Sequence, residues 1–310
     1  MFDIIGQRNW FFVLSAVIIG AGVIVLATFG LRLGVDFAGG SLLEVRLASE
    51  VAPAEVRAVF ADHGFPEARV QTTQDGTVLI RSRDMRSPQK EAIKTALAER
   101  AGEVDELRFE AVGPVVAQEL TVKAAIQVAA ASVMILLYLW WAFRQVSQSY
   151  RYGICAIIAL AHDVLVVLGI WAILGQVLGF EVDALFVTAI LTVVGYSVHD
   201  TIVVFDRIRE NMGRFPGESF ERVVNFSVNQ TLDRSLNTSL TVVFTLAALL
   251  LLGGVTIRQF VLVLLLGTAT GTYSSIFTAS TILVVWENGQ LARLVRRLTR
   301  RGAAPQEAGV

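Results

Sequence analysis

WFFVLSAVIIGAGVIVLATFGL, residues 10–31, is an unbroken apolar run with no charged side chain. An α-helix rises 1.5 Å per residue, so about 20 such residues cross the roughly 30 Å hydrocarbon core of a bilayer. The run is too long for the apolar region of a secretory signal, and no A-x-A cleavage site follows it. It therefore reads as a retained transmembrane helix. Working outward, five further stretches meet the same length criterion: 124–143, 153–174, 184–205, 236–254 and 260–286. The fifth of the six is the weakest, because its entrance, TLDRSLNTSL (231–240), is polar. The expected fold class is a polytopic α-helical membrane protein with six transmembrane helices.

Composition agrees with that reading. Of 310 residues, 54% are hydrophobic and 17% charged, against about 25% charged in soluble domains. The mean hydropathy is +0.61. A formal net charge of −1 excludes a broadly basic nucleic-acid binder. A lone cysteine, Cys155, excludes a disulfide scaffold and a cysteine-based zinc site. No His pair has H-x-x-x-H spacing, so no metal site is expected. No nucleophile–base pair or cofactor fingerprint points to an enzyme.

Arginines in the short loops set the orientation. Arg144 and Arg151 lie in the 142–152 link, five more arginines (207, 209, 214, 222 and 234) in the 206–235 link, and five in the tail 293–301. The 175–183 loop has no Lys or Arg, and 253–259 has only Arg258. Six crossings put all the arginine-rich segments on one face, so both termini are expected in the cytoplasm. The tail RLVRRLTRR (293–301) is basic and amphipathic, suited to the anionic inner leaflet. Residues 33–121 then lie outside, with 10 basic against 15 acidic residues, a net of −5. Their pattern reads strand 41–47, helix 52–63, strand 68–73, strand 77–83, helix 88–101 and strand 105–112. Asp75-Gly76 marks a tight turn, and Ser87-Pro88 a capped helix start. The order βαββαβ predicts an α+β ferredoxin-like periplasmic domain between helices 1 and 2. The expected division is 1–32, N-terminus and helix 1; 33–121, the periplasmic domain; 122–288, helices 2–6; and 289–310, the cytoplasmic tail.

Ionisable residues inside membrane helices carry most of the functional signal, because each is costly unless paired or wet. His162-Asp163 stand midway along the third helix and His199-Asp200 nearer the cytoplasmic end of the fourth, while Asp233 and Arg234 open the fifth. A desolvated carboxylate whose guanidinium neighbour moves can load and release a proton. Asp200 and Arg234 are therefore the proton-relay candidates, with Asp200 titrating because arginine stays charged. The alternative is a permanent ion pair that fixes packing. His162 and Asp163 are a second station or polar packing contacts. The hydroxyls of Ser197, Thr201, Thr238, Ser239 and Thr241 lie near the Asp200–Arg234 level, where they can hold relay waters. GTATGTYSSIFTAS (267–280) reads first as a close-packing surface, with Gly267-x-x-x-Gly271, and second as a polar wall.

Four segments together resemble the SecF family of the bacterial Sec protein-export machinery, relatives of the RND transporters. Gly34-Val35-Asp36-Phe37-Ala38-Gly39-Gly40 is similar to that family's G-x-D-F-x-G-G entry to the external domain. Val112-Gly113-Pro114 is similar to its V-G-P motif. VVGYSVHDTIVVFDRIREN (193–211) and Asn229-Gln230-Thr231-Leu232-Asp233-Arg234-Ser235 match in the fourth and fifth helices. Gly34, Asp36, Gly39, Gly40, Gly113 and Pro114 read as structural: the glycines for a sharp exit from the membrane, Pro114 for a stiff re-entry. The resemblance implies a bacterial inner-membrane subunit that pairs with SecD beside the SecYEG channel, often with YajC. Such a unit uses the proton-motive force to promote passage and release of translocating polypeptides, with protons the coupling ion and no other cofactor. It also implies that an acidic residue of SecD faces Asp200 and Arg234, making Asp200 one member of a shared cluster. The competing readings are a structural subunit that conducts no protons and a small-solute RND exporter.

Overall fold

The structure, a computed structural model, describes residues 2–49, 51–72, 76–144 and 148–289. The expectations for the basic tail 293–301 and for Asp75 fall outside the described residues. Six helices among those described are long and apolar enough to span a membrane. They are α1 (Arg8–Phe29), α5 (Pro114–Ala142), α6 (Ser149–Leu178), α7 (Ala184–Arg214), α8 (Phe220–Leu252) and a sixth span, Ile257–Glu287. The sixth span comprises α9 (Val255–Tyr273), a π-helical turn (Ser274–Ala279) and α10 (Ser280–Glu287).

Several helices outrun their apolar windows. α5 starts at Pro114 rather than 124, α7 continues to Arg214 rather than 205, and α8 starts at Phe220 rather than 236. Hydropathy locates only the part immersed in hydrocarbon, whereas backbone hydrogen bonding continues through polar ends. At 1.5 Å per residue α7 is about 46 Å long, well beyond the hydrocarbon thickness. The polar entrance to the fifth span is thus an internal turn of α8.

Contacts divide the chain into two units. The helical unit takes in α1, the later part of α5, α6, α7 from Thr188, and α8 to α10. α6 is its hub, touching α1, α9, the π turn and α10. Its buried positions Cys155, Ala159, Asp163, Val166 and Val167 recur at helical spacing. Gly22 of α1 and Gly169 of α6 meet backbone to backbone: a Cβ on Gly169 would stand 2.6 Å from the Gly22 Cα. Gly267 is equally tight, since a Cβ there would lie 2.0 Å from Val193 Cγ2. The first residues of the chain are tied down as well. Asn225 Oδ1 accepts the Ile4 N–H at 2.9 Å, Asn229 Oδ1 accepts the Phe2 N–H at 2.8 Å, and Arg8 pairs with Glu221.

The second unit comprises Arg32–Gln127 with Glu181–Val187. After a single helical turn, α2 (Val35–Ala38), it runs β1 (Gly40–Leu47), α3 (Pro53–Asp62), β2 (Arg69–Thr72), β3 (Thr77–Ser82), α4 (Ser87–Ala101) and β4 (Val104–Val112). The sheet order is β2-β3-β1-β4, with every pairing antiparallel. This is the ferredoxin-like arrangement that the βαββαβ order predicts. Alternation in β1 sends Leu43 and Val45 inward, opposite Ile80 and Val78, onto Val59, Phe60, Ile93 and Leu97 of the two helices. Gly76 takes φ +75°, a conformation glycine adopts without strain. One expectation is corrected in detail. Ser87 is not the cap of α4 but its first residue; the Arg86 N–H is satisfied by Gln89 Oε1 at 3.0 Å.

The motif residues have distinct jobs within this unit. Gly40 adopts φ +111°, and a Cβ there would stand 2.5 Å from the Ser82 carbonyl oxygen. Gly39 adopts φ +73° and ends α2. Gly34 has ordinary dihedrals; its small size lets the backbone approach Val182, whose carbonyl accepts the Gly34 N–H at 2.8 Å. Asp36 accepts the Ala184 N–H at 2.8 Å, and Asp183 accepts the Phe186 N–H at 2.7 Å. The two carboxylates thus satisfy free amides at the positive end of α7. Pro114 is the first residue of α5, where its missing N–H costs nothing. Nothing in the structure explains why position 113 is glycine.

Candidate functional site

α6, α7, α8 and the sixth span bring a set of polar side chains together inside the helical unit. Asp163 is fully buried. Its Oδ2 accepts hydrogen bonds from Ser197 Oγ at 2.5 Å and Ser274 Oγ at 2.7 Å, and its Oδ1 lies 3.0 Å from His162 Nδ1. His162 Nε2 lies 2.9 Å from Ser15 Oγ on α1, and the imidazole stacks on the Tyr273 ring. The line thus runs from Ser15 through His162 and Asp163 to Ser197 and Ser274. A buried acid is tolerated where, as here, its oxygens have hydrogen-bond partners.

Asp200, one turn further along α7 from Ser197, is buried too but sparsely satisfied. Its Oδ2 accepts one long hydrogen bond, 3.4 Å from Ser239 Oγ of α8. Ser239 lies 2.6 Å from Thr272 Oγ1, and Tyr196 donates to Ser239 at 3.4 Å. Between the two carboxylates, Thr201 Oγ1 lies 2.8 Å from Ser275 Oγ, and both hydroxyls donate to the Ser197 carbonyl. The adjacent serines that open the π turn Ser274–Ala279 meet two different partners. Ser274 reaches Asp163 while Ser275 reaches Thr201, and π turns within α-helices recur at functional sites.

Arg234 is not joined to Asp200 by any salt bridge among the described residues. It is exposed on α8, beside a cavity of about 470 Å3 whose walls include Asp206, Arg207, Glu210 and Gln230. Asp233, Asn237, Thr238 and Thr241 of the same helix are exposed as well, and His199 is exposed on α7. Thr238 and Thr241 bond to their own helix, at the Arg234 and Thr238 carbonyls. Of the hydroxyls expected near Asp200, only Ser239 reaches it; Ser197 serves Asp163 and Thr201 serves Ser275.

Sequence reasoning ranked Asp163 behind Asp200 and took 267–280 chiefly as a packing surface. The structure has this segment pack closely through Gly267 and Gly271 and also supply Ser274, Ser275 and Thr272 to the polar cluster. Ser15 and Tyr273 were missed. A lone serine in an apolar run (SAVIIGAG) is a visible signal for Ser15, though not for its partner. The charged end of α7 is equally organised: Arg207 donates to Gln230 at 2.7 Å, and buried Asn211 donates to Ser227 and Gln230 at 2.9 Å.

Comparisons with known proteins bear on this arrangement. A family described as protein export membrane protein SecD/SecF, C-terminal, matches residues 92–289, and the SecD/SecF GG motif matches residues 24–51. A protein translocase subunit SecF of Thermobaculum terrenum is 52% identical over 98% of this chain and all of its own length. That of Anaerolinea thermophila is 46% identical over 99% of this chain and all of its own length. A crystal structure of SecDF, described as a translocon-associated membrane protein from Thermus thermophilus, superposes with a TM-score of 0.82 at 32% identity. That likeness covers 93% of this chain and 39% of the longer SecDF chain.

Proposed function

The chain belongs to the SecD/SecF family of protein-export membrane proteins, and from that premise we propose that it is the SecF half of a SecD–SecF unit. In this reading it promotes passage and release of polypeptides at the SecYEG channel, with YajC as a further associate. It sits in the bacterial inner membrane with both termini in the cytoplasm and residues 33–121 outside. Proton movement through its helices, driven by the proton-motive force, is coupled to movement of the ferredoxin-like domain.

One observation carries the proposal. Asp200 is a buried carboxylate with a single long hydrogen bond, from Ser239 of α8, and a different face of the same helix carries exposed Arg234, Asn237, Thr238 and Thr241. Polar side chains at membrane depth face other protein or water, not lipid. That face calls for a second polytopic chain, and the acidic residue expected on SecD would complete the charge of Arg234. Protonated Asp200 is neutral; deprotonated, it attracts the guanidinium. Each proton passage would then switch the α7–α8 contact between two arrangements.

Asp200→Asn in the SecD-containing complex, with SecYEG in sealed vesicles, tests it. The complex should assemble normally, and the stimulation of export by a proton gradient should fall at least about tenfold, as when a proton-transfer group is removed. Export that keeps its full gradient dependence would sink the relay. Failure of assembly would favour the structural-subunit reading instead.

A further inference from the structure

The sheet-bearing unit holds a concentration of positive charge that nothing above uses. Arg69 of β2 and Arg81 of β3 are direct cross-strand partners. Like charges directly opposite one another destabilise a sheet. Arg32 joins them, and the three arginines, with Gln71, Leu33 and Glu181, line a cavity of about 370 Å3. Three arginines less one glutamate leave a charge of +2. Burial presses the Arg81 guanidinium below its ordinary pKa; the ion pair with Glu181 opposes this, and the charges of Arg32 and Arg69 add to it. The Arg81 Nε–H is buried and finds no acceptor among the described residues. A buried donor of this kind is uncommon in proteins and calls for an acceptor.

The position along the chain narrows the ligand. Arg32 follows the last residue of α1 by three positions, and Glu181 follows the last residue of α6 by three. Three residues span at most about 11 Å, so both are tethered near the ends of membrane helices. The headgroup layer occupies that depth, since a bilayer of about 40–45 Å surrounds a hydrocarbon core of about 30 Å.

We propose that this cavity binds a phosphate oxyanion, held by the forked guanidiniums of Arg32, Arg69 and Arg81 with the Gln71 amide beside them. Arginine forks match phosphate geometry with paired, charge-assisted hydrogen bonds. The phosphate comes from an anionic phospholipid headgroup or from free phosphate, and the site stands whether or not Asp200 moves a proton.

The test uses the full chain in phosphatidylcholine nanodiscs. In one arm phosphatidylglycerol is added and its retention counted by native mass spectrometry. In the other, inorganic phosphate is titrated and followed by 31P line broadening. Arg69→Gln and Arg32→Gln should each weaken binding about fivefold, the effect of one basic residue at a membrane surface. Arg57→Gln, an exposed arginine of the same unit outside the cavity, should change nothing. Hydrogen exchange across β2 and β3 checks that each variant is folded. Arginine-dependent retention of phosphatidylglycerol supports a lipid site, and arginine-dependent broadening alone supports a free-anion site. Binding in neither arm, or equal loss with Arg57→Gln, overturns the proposal.

Discussion

Asp163 and Asp200 are both carboxylates buried in the helical unit, yet they are satisfied very differently. Asp163 receives two serine hydroxyls and faces an imidazole, whereas Asp200 has one hydrogen bond at 3.4 Å. Removing Asp163 would orphan the Ser197 hydroxyl and the His162 Nδ1, while Ser274 keeps the Gly271 carbonyl, so Asp163→Ala should destabilise the protein by at least about 2 kcal/mol, since each unsatisfied buried group costs about 1–3 kcal/mol. Asp200→Asn should cost less than about 1 kcal/mol, because one long hydrogen bond is replaced by an isosteric amide. Unfolding titrations in mixed detergent micelles would measure both, and equal losses would contradict the contrast. The sequence displayed both residues, because an acid inside an apolar helix stands out. Their ranking was not legible, since the donors to Asp163 come from helices remote along the chain.

At the scale of elements, the α1–α6 crossing depends on two glycines whose backbones touch. Gly169→Val should force the helices apart at a cost of about 1–3 kcal/mol, the usual penalty for overpacking. It should also lengthen the Ser15–His162 contact, which His162 imidazole resonances would report; unchanged stability and resonances would show that the crossing tolerates the side chain. The sheet-bearing unit has its own electrostatic fastening. Glu106 of β4 accepts from Lys90 at 2.8 Å and Lys94 at 2.7 Å of α4. Burial raises the Glu106 pKa, but the two ammonium groups outweigh it and hold the carboxyl below the usual range. A depressed carboxyl pKa stabilises the fold above the ordinary carboxylate range, and that contribution is lost as pH falls through the depressed value. The unit should therefore loosen progressively below about pH 4, near the ordinary carboxylate range. Glu106→Gln should remove most of that dependence. Hydrogen exchange of the β4 amides, corrected for intrinsic rates, checks both statements. If Glu106→Gln keeps the wild-type acid response, this pairing does not control it. The strands and helices of this unit were legible nearly residue by residue, because alternation and turn residues are local signals. The π turn was not, because nothing in SSIFTA marks an extra residue per turn.

At the scale of the whole molecule, the proposed pairing with SecD makes a prediction about the exposed polar face of α8. α8, long and apolar enough to span a membrane, leaves Arg234, Asn237, Thr238 and Thr241 exposed among the described residues. Single cysteines at Asn237 and Thr241 should cross-link to SecD in the assembled complex, while one at Leu251, an exposed apolar site of α8, should not. The native Cys155 is buried, which keeps such labelling clean. Lipid-accessible labels at 237 and 241 in the presence of SecD would refute the interface. The amino-acid sequence alone determined the solvent of each segment, the six spans and the βαββαβ order, because hydropathy and strand alternation are properties of neighbouring residues. Only the tertiary structure decided which polar groups meet. Ser274 is 111 residues from Asp163 and His162 is 147 from Ser15, and no local pattern encodes such contacts. The same holds for Arg234, whose exposed position follows from the way α8 lies against α9.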